Sequence, residues 1–402
     1  MPLRRLAISL LLLTTITGYS QVPELSPLSK ISVLTCGPGG QLYSTFGHSA
    51  FRIKDPAIGM DVVYNYGVFN FYSDNFYVKF AKGKLDYMLA RQQYANFIRE
   101  YKYDKRWVKE QTLRLSQTER NRLFQFLEHN YLPKNRGYPY DFFYNNCATK
   151  IWDVLDSVYG DNLVFNKNYL GKQYTHRELI HQNIPVNSWS CLGIDLALGS
   201  VIDDLASPKE HMFLPQYNMR QLNYARLRGR PLVSNEVSVY QPKTTGHKNN
   251  FLLTPLFWSL LSMIVIFILT YRDNKDNRRA KGLDLAIFLV TGLVGTLIFF
   301  LWFLTEHTAT ANNLNILWAF PFNLVLAFLV GRKKALPAWT TIYILFLILM
   351  LFLLILLWAM KVQLFSPVLI PILLALGIRY SFLYSLDRRQ KKTIPEHEPT
   401  FR

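Results

Sequence analysis

Apolar and polar residues are spaced differently in the two halves of the chain, and the change falls near residue 250. Beyond it come five apolar segments, Phe251–Tyr271, Leu283–Thr305, Ile316–Gly331, Trp339–Met360 and Val368–Leu386. Most reach the roughly 20 residues that a helix needs to cross the hydrocarbon core, and the third is short. The spacing predicts an all-α bundle of five transmembrane helices over 251–386. Before residue 250 the pattern alternates between short β-type runs and helical stretches. Ile31–Thr35, Ser49–Ile53, Val62–Tyr66 and Trp107–Leu115 read as strands, the middle two joined by the Pro/Gly turn Lys54–Asp61. Ser116 and Glu119 form a capping box opening a helix over Arg120–His129 that buries Leu123, Phe126 and Leu127. A further helical run is expected around Leu222–Leu227, and the polar stretch Ser234–Asn250 reads as a juncture. The expected class is α+β for 21–247, followed by the membrane bundle.

Residues 1–20 carry Arg4 and Arg5 before the apolar run Leu6–Ile16, with Gly18 and Ser20 ahead of a cut before Gln21. This is the layout of a secretory signal peptide, and it predicts an extracytoplasmic domain. The net charge of +18 would otherwise suggest nucleic acid, but its placement argues against that. Arg272, Lys275, Arg278, Arg279 and Lys281 follow the first apolar segment, Arg332–Lys334 the third, and Arg388, Arg389, Lys391 and Lys392 the fifth. The intervening loops Glu306–Asn315 and Lys361–Pro367 hold Lys361 as their sole Lys or Arg. By the positive-inside rule the basic loops and the tail 387–402 face the cytoplasm of an inner membrane. Arg379, inside the last segment, is expected to snorkel toward the cytoplasmic surface.

Chemistry concentrates around Cys147. The run from Ala148 repeats Ile151, Val154, Leu155 and Val158 at helical spacing, and Asn145 and Asn146 are N-cap residues. Cys147 therefore sits at a helix start, where free backbone N–H groups and the helix dipole favour a thiolate. A structural, buried cysteine is the commoner role for this residue type. Its base would be His48, ahead of a strand. A hairpin centred on Ala57 places His48 opposite Asn65 or Tyr66, so Asn65 is the expected orienting residue. Tyr43, Ser44 and Asn146 are candidates for oxyanion or substrate contact, and Glu306 and His307 for a headgroup or amine wall in an otherwise hydrated loop. Cys36 and Cys191 are free to pair, though nothing in their spacing requires it. The histidines and cysteines do not form a ligand spacing, so no metal and no cofactor is expected.

The ordered motifs Gly37-Pro-Gly-Gly-Gln-Leu-Tyr-Ser-Thr-Phe-Gly-His-Ser-Ala-Phe-Arg-Ile53, Tyr64-Asn-Tyr-Gly-Val-Phe-Asn70, Asn145-Asn-Cys-Ala-Thr149 and Met212-Phe-Leu-Pro215 resemble the Bacteroidetes family of Lnb-type lipoprotein N-acyltransferases. The order of His strand and Cys helix also resembles circularly permuted papain-like enzymes of the NlpC and lecithin:retinol acyltransferase type. These resemblances imply a permuted papain-like domain with Cys147 as nucleophile and His48 as base. They further imply a phospholipid as acyl donor and a diacylated lipoprotein as acceptor. Two other readings stay open at this point, an NlpC-like cell-wall peptidase or amidase and a non-catalytic membrane scaffold.

Overall fold

The computed structural model describes residues 23–69, 75, 78–79, 82–84, 86–243, 250–331, 337 and 339–393. The expected signal peptide and the basic run 332–334 lie outside the described residues. Strands β1 (Lys30–Cys36), β2 (His48–Asp55), β3 (Met60–Phe69), β4 (Asp86–Gln93), β5 (Val108–Leu113), β6 (Gly137–Pro139), β7 (Leu163–Val164), β8 (Arg226–Leu227), β9 (Arg230–Pro231) and β10 (Val233–Tyr240) form two sheets. The larger runs β10-β5-β1-β2-β3-β4-β6, and β7-β8-β9 make the smaller.

Alternation along the central strands separates two cores, as the period of two requires. Val33, Phe51 and Tyr64 face the helices Gln117–Tyr131 and Thr149–Tyr159, which contribute Leu123, Leu127, Ile151 and Leu155. Leu34, Ala50 and Val63 point the other way, against Phe97 and Tyr101 of the helix Tyr94–Tyr103. The capping box is present as read: Ser116 Oγ accepts from Glu119 N at 3.3 Å, and Ser116 N donates to Glu119 Oε2 at 2.7 Å. Phe124, rather than Phe126, is the fully buried phenylalanine of that helix.

Three expectations in this domain need correction. The β2–β3 hairpin pairs Phe51 with Tyr64 and Ile53 with Val62, so extending its register sets His48 opposite Gly67, not Asn65 or Tyr66. The expected helical run at Leu222–Leu227 is a helix that ends at Tyr224, followed by β8. The polar stretch from Ser234 is not a juncture as far as Tyr240. It lies in the edge strand β10, whose residues are largely exposed and therefore polar.

Among the described residues of the membrane half, four helices are long and apolar enough to cross a bilayer: Pro255–Lys275, Lys281–Phe303, Trp339–Ala359 and Leu369–Arg389. The third apolar segment is not a fifth such helix. It is a 3-10 turn, Leu314–Leu317, then a helix of 8 residues, Asn323–Val330, with Pro321 at the break. Its close packing explains how so short an element is held. A Cβ placed on Gly292 or Gly295 would come within 2.2 Å of Leu324 N and 1.9 Å of Ala319 O. Its ends are tied as well, Asn313 Nδ2 donating to Leu196 O at 2.8 Å and Arg279 Nη2 to Val330 O at 3.1 Å.

Arg379 does not snorkel. It is fully buried, donating through Nε to Asp284 Oδ1 and through Nη1 to Asp273 Oδ2, each at 2.7 Å. One guanidinium thus joins three helices, because two carboxylates within reach make burial less costly than threading the side chain to water.

The loop between Phe303 and Leu314 is docked rather than hydrated. Gly199 N donates to Ala309 O, Ser200 N to Asn312 O, and Asn315 Nδ2 to Asp195 O. Gly199 lies so close that a Cβ there would stand 1.8 Å from Ala311 O. The helix Trp189–Ala197 bridges the two halves, its Leu192 and Leu196 packing on the membrane core while Arg177 holds Asp195 at 3.0 Å. Cys191 lies within that helix and Cys36 in the sheet; both are free thiols, so the possible disulfide does not form.

Replacing Arg379 by Met leaves buried Asp284 with only the longer contact to Arg279 at 3.5 Å and removes its hydrogen-bonded cation. The expected result is a loss of about 3–5 kcal/mol of stability, seen as a clear drop in the melting temperature of the detergent-solubilised protein.

Candidate active site

Cys147 precedes the helix Thr149–Tyr159 on a turn whose geometry is set by its neighbours. Asn146 Oδ1 accepts from Ala148 N at 2.8 Å and Thr149 N at 3.0 Å, capping the helix. Its Nδ2 donates to Phe142 O and to Phe213 O, each at 2.8 Å. Asn146 is therefore a positioning residue, with its amide fully committed to backbone rather than offered to an oxyanion. The Met212–Pro215 stretch gains a physical role here. Phe213 O takes the Asn146 bond, and Pro215 begins the helix from which Asn218 Nδ2 donates to Ala148 O. Asn218 was not identifiable from the sequence.

His48 enters from the first residue of β2. Gly47 before it adopts φ +85°, where a Cβ would meet Cys36 O at 2.7 Å, so the strand begins at a point only glycine occupies without strain. His48 Nε2 lies 2.5 Å from Asn65 Oδ1. An amide oxygen carries no proton, so Nε2 donates, and Nδ1 is left for the Cys147 thiol, with which the ring is hydrogen-bonded. The two-residue displacement of the hairpin explains why Asn65 still serves: an even shift keeps it on the face of His48.

Gly67, overlooked in the sequence reading, is the point of closest approach. At φ +89°, next to a register break in β3, its missing side chain leaves room for both partners. A Cβ there would sit 3.2 Å from Cys147 Cβ and 3.9 Å from His48 Cε1. An isolated glycine inside a β run is the signal that could have found it.

Burial alone would raise the Cys147 pKa. The charge and hydrogen bond of His48, with the N–H groups of Ser49 and of Cys147 itself, bring it below the ordinary thiol range. Burial alone would conversely hold His48 down, and the facing thiolate with Asn65 holds it above its usual value. Both shifts favour movement of the thiol proton toward His48 Nδ1. Cys147 as a residue is half-buried.

Three tyrosines surround this pair. Tyr87, Tyr138 and Tyr140 resist ionisation because they are buried and because the Cys147 thiolate repels a second negative charge, Tyr87 being pushed up to about 12. Tyr87 and Tyr140 stack with centroids 4.1 Å apart.

The other candidate residues engage partners of their own. Ser44 Oγ donates to Gln41 O within its own turn, and Tyr43 is 79 % exposed. Glu306 pairs with Lys84 at 2.9 Å, and the His307 backbone lies against Gly83. The link from that loop to the site is Thr308, whose Oγ1 donates to Asp141 Oδ2 at 3.2 Å; Asp141 Oδ1 accepts from Phe143 N and Tyr144 N in the turn leading to Cys147. His181, Cys191 and Asp195 bring three donor atoms within 4.8 Å of one another. Arg177 occupies the same Asp195 oxygen as His181, a guanidinium where a cation would have to sit. Those residues do not fit a metal.

The hydrogen-bonded pair predicts a pH signature. As pH falls, alkylation of Cys147 by iodoacetamide in the intact protein should begin to slow only below the range of an ordinary thiol. In His48→Ala the same decline should begin at a higher pH, near that of an ordinary thiol. Gly67→Ala should slow alkylation of Cys147 at pH 7 by forcing the two side chains apart.

Two family models match the chain. The Lnb N-terminal periplasmic domain matches residues 24–182, which include His48, Asn65 and Cys147. The Lnb transmembrane domain matches residues 247–391, the whole described membrane half. No curated protein and no solved structure matches the chain. With both of its domains matched in order, this chain belongs to the Lnb family.

Proposed function

We propose that the protein is a cysteine-dependent lipoprotein N-acyltransferase acting at the outer face of the inner membrane. The observation that carries this reading is the Asn65–His48–Cys147 chain on a domain packed against apolar helices. The Cys147 thiolate attacks the ester carbonyl of a phospholipid, forming a C–S bond. His48 Nδ1–H protonates the departing alkoxide as the C–O bond breaks, and lysophospholipid leaves. The α-amine of a diacylglyceryl-cysteine lipoprotein then attacks the thioester. A C–N bond forms, the C–S bond breaks, His48 takes the amine proton, and the thiolate is restored.

Backbone donors near the sulfur, those of Ser49 and Cys147, would hold each tetrahedral oxyanion, a contribution of roughly 3 kcal/mol per donor in other acyl-transfer enzymes. The order of strands and helix fits a permuted papain-like arrangement of nucleophile and base. Both substrates are anchored in a bilayer, so a catalytic domain docked on membrane helices meets them without extracting either. A peptidase would gain nothing from that docking.

The orientation follows from charge and contacts. The basic segments after Pro255–Lys275 and at the C-terminal tail lie in the cytoplasm. The broken third segment is taken as a crossing, since it is bonded at one end to the soluble domain and at the other to Arg279. The chain then enters by cleavage of residues 1–20, crosses five times, and ends in the cytoplasm.

Mass spectrometry of lipoprotein N-termini decides the matter. Cys147→Ser should abolish N-acylation, and His48→Ala should lower it at least about 10²-fold, with both variants accumulating in the membrane. Fully N-acylated lipoprotein in cells whose sole copy is Cys147→Ser would rule the mechanism out.

A further inference from the structure

The corner where the soluble domain meets the first membrane helix leaves large apolar side chains bare. Trp189 opens the bridging helix Trp189–Ala197, behind its cap Ser188, and stays 57 % exposed. Its one polar atom is already committed, Nε1–H donating to Leu253 O at 2.9 Å, so the surface it shows is hydrocarbon ring. Asn187 Oδ1 accepts from Leu256 N at 3.1 Å and pins the same corner to the start of the helix Pro255–Lys275. Val186 before it, and Phe251, Leu252, Leu253 and Trp258 on the chain entering that helix, are exposed as well.

The length of the helix sets the depth of this patch. Roughly 20 helical residues cross the hydrocarbon core. Counted back from Arg272, where the charged far end begins, they bring the near boundary to Leu252 and Leu253. The Trp189 ring, bonded to Leu253, is therefore at the level where headgroups give way to acyl chains, the level at which tryptophan rings are enriched. A protein partner would have to displace lipid to reach a patch at that depth, so lipid is its occupant.

We propose that Trp189, with Val186 and the turn Phe251–Leu253, is an interfacial anchor that seats the soluble domain in the outer leaflet at the boundary of headgroups and acyl chains. The anchor bears on the site because the bridging helix packs on the layer behind it. Cys191 of that helix shares a buried cluster with Phe143, Phe213 and Leu214, and Phe213 O is the acceptor that holds Asn146 ahead of Cys147. The depth of Trp189 thus sets the depth of the turn that carries Cys147. An anchor of this kind is independent of the acyl-transfer reading and would serve a membrane scaffold equally.

The full-length protein is reconstituted in phosphatidylcholine nanodiscs, and Trp189→Phe isolates the fluorescence of Trp189 by difference from the wild type; Trp189→Tyr, which keeps an interfacial ring, gives the same difference. Bromine carried high on the acyl chains should quench that difference at least about twofold more strongly than bromine near the chain ends, and more strongly than aqueous iodide. Trp258→Phe supplies the reference, a ring on the first turn of the membrane helix that brominated lipid reaches. Unchanged iodoacetamide reactivity of Cys147 shows that each variant is intact. Quenching of the Trp189 difference by iodide alone puts the ring in water and overturns the anchor. Quenching by neither agent, with Trp258 still quenched by bromine, means that protein covers the ring, and overturns it as well.

Discussion

The hydrogen-bonded pairing of Cys147 with His48 is the interaction around which the soluble domain is arranged. Its two members come from elements about a hundred residues apart in the chain, a strand start and a helix start. Each is fixed by a separate device. Gly47 turns the backbone into β2, and Asn65 fixes the imidazole tautomer. Asn146 caps the cysteine's helix and, through Phe213, ties it to the next layer. Gly67 supplies the gap in which the two meet. A charge pair in a half-buried site is favourable only when its geometry is held, and most of the polar backbone contacts around the sulfur serve that end.

The same rule governs the membrane half. Arg379, Asp273 and Asp284 are tolerated among apolar helices because each carboxylate meets the guanidinium at 2.7 Å. The polar loop following Phe303 is held in the same manner, its asparagines bonded to main-chain carbonyls of the soluble domain. Through Thr308 and Asp141 the membrane half reaches the turn that carries Cys147. The membrane half thus helps to hold the turn that carries Cys147.

Much of the architecture was legible in the residues because it rests on local physics. Period-two alternation located β1, β2, β3 and β5, the capping box located its helix, and apolar length located four membrane helices. The place of Cys147 just ahead of a helix was legible from the apolar spacing that follows it. Local rules failed where packing took over. The third apolar segment reads as a short span, yet contact with Gly292 and Gly295 lets it break at Pro321. Strand β10 is too polar to announce itself, since an edge strand owes its place to β5 rather than to its own side chains.

For the candidate site, the sequence by itself picked out a cysteine at a helix N-terminus, a histidine at a strand start and an asparagine on the facing strand, while the structure set that asparagine two positions from the residue opposite the histidine. It also determined that about a third of the chain, residues 251–386, prefers lipid to water, because hydropathy over twenty residues is a local sum. Only the tertiary structure decided which groups meet. It set the hairpin register, spent Asn146 and Ser44 on backbone, and paired Glu306 with Lys84. Contacts across long sequence separations depend on how whole layers pack, and no local pattern encodes that.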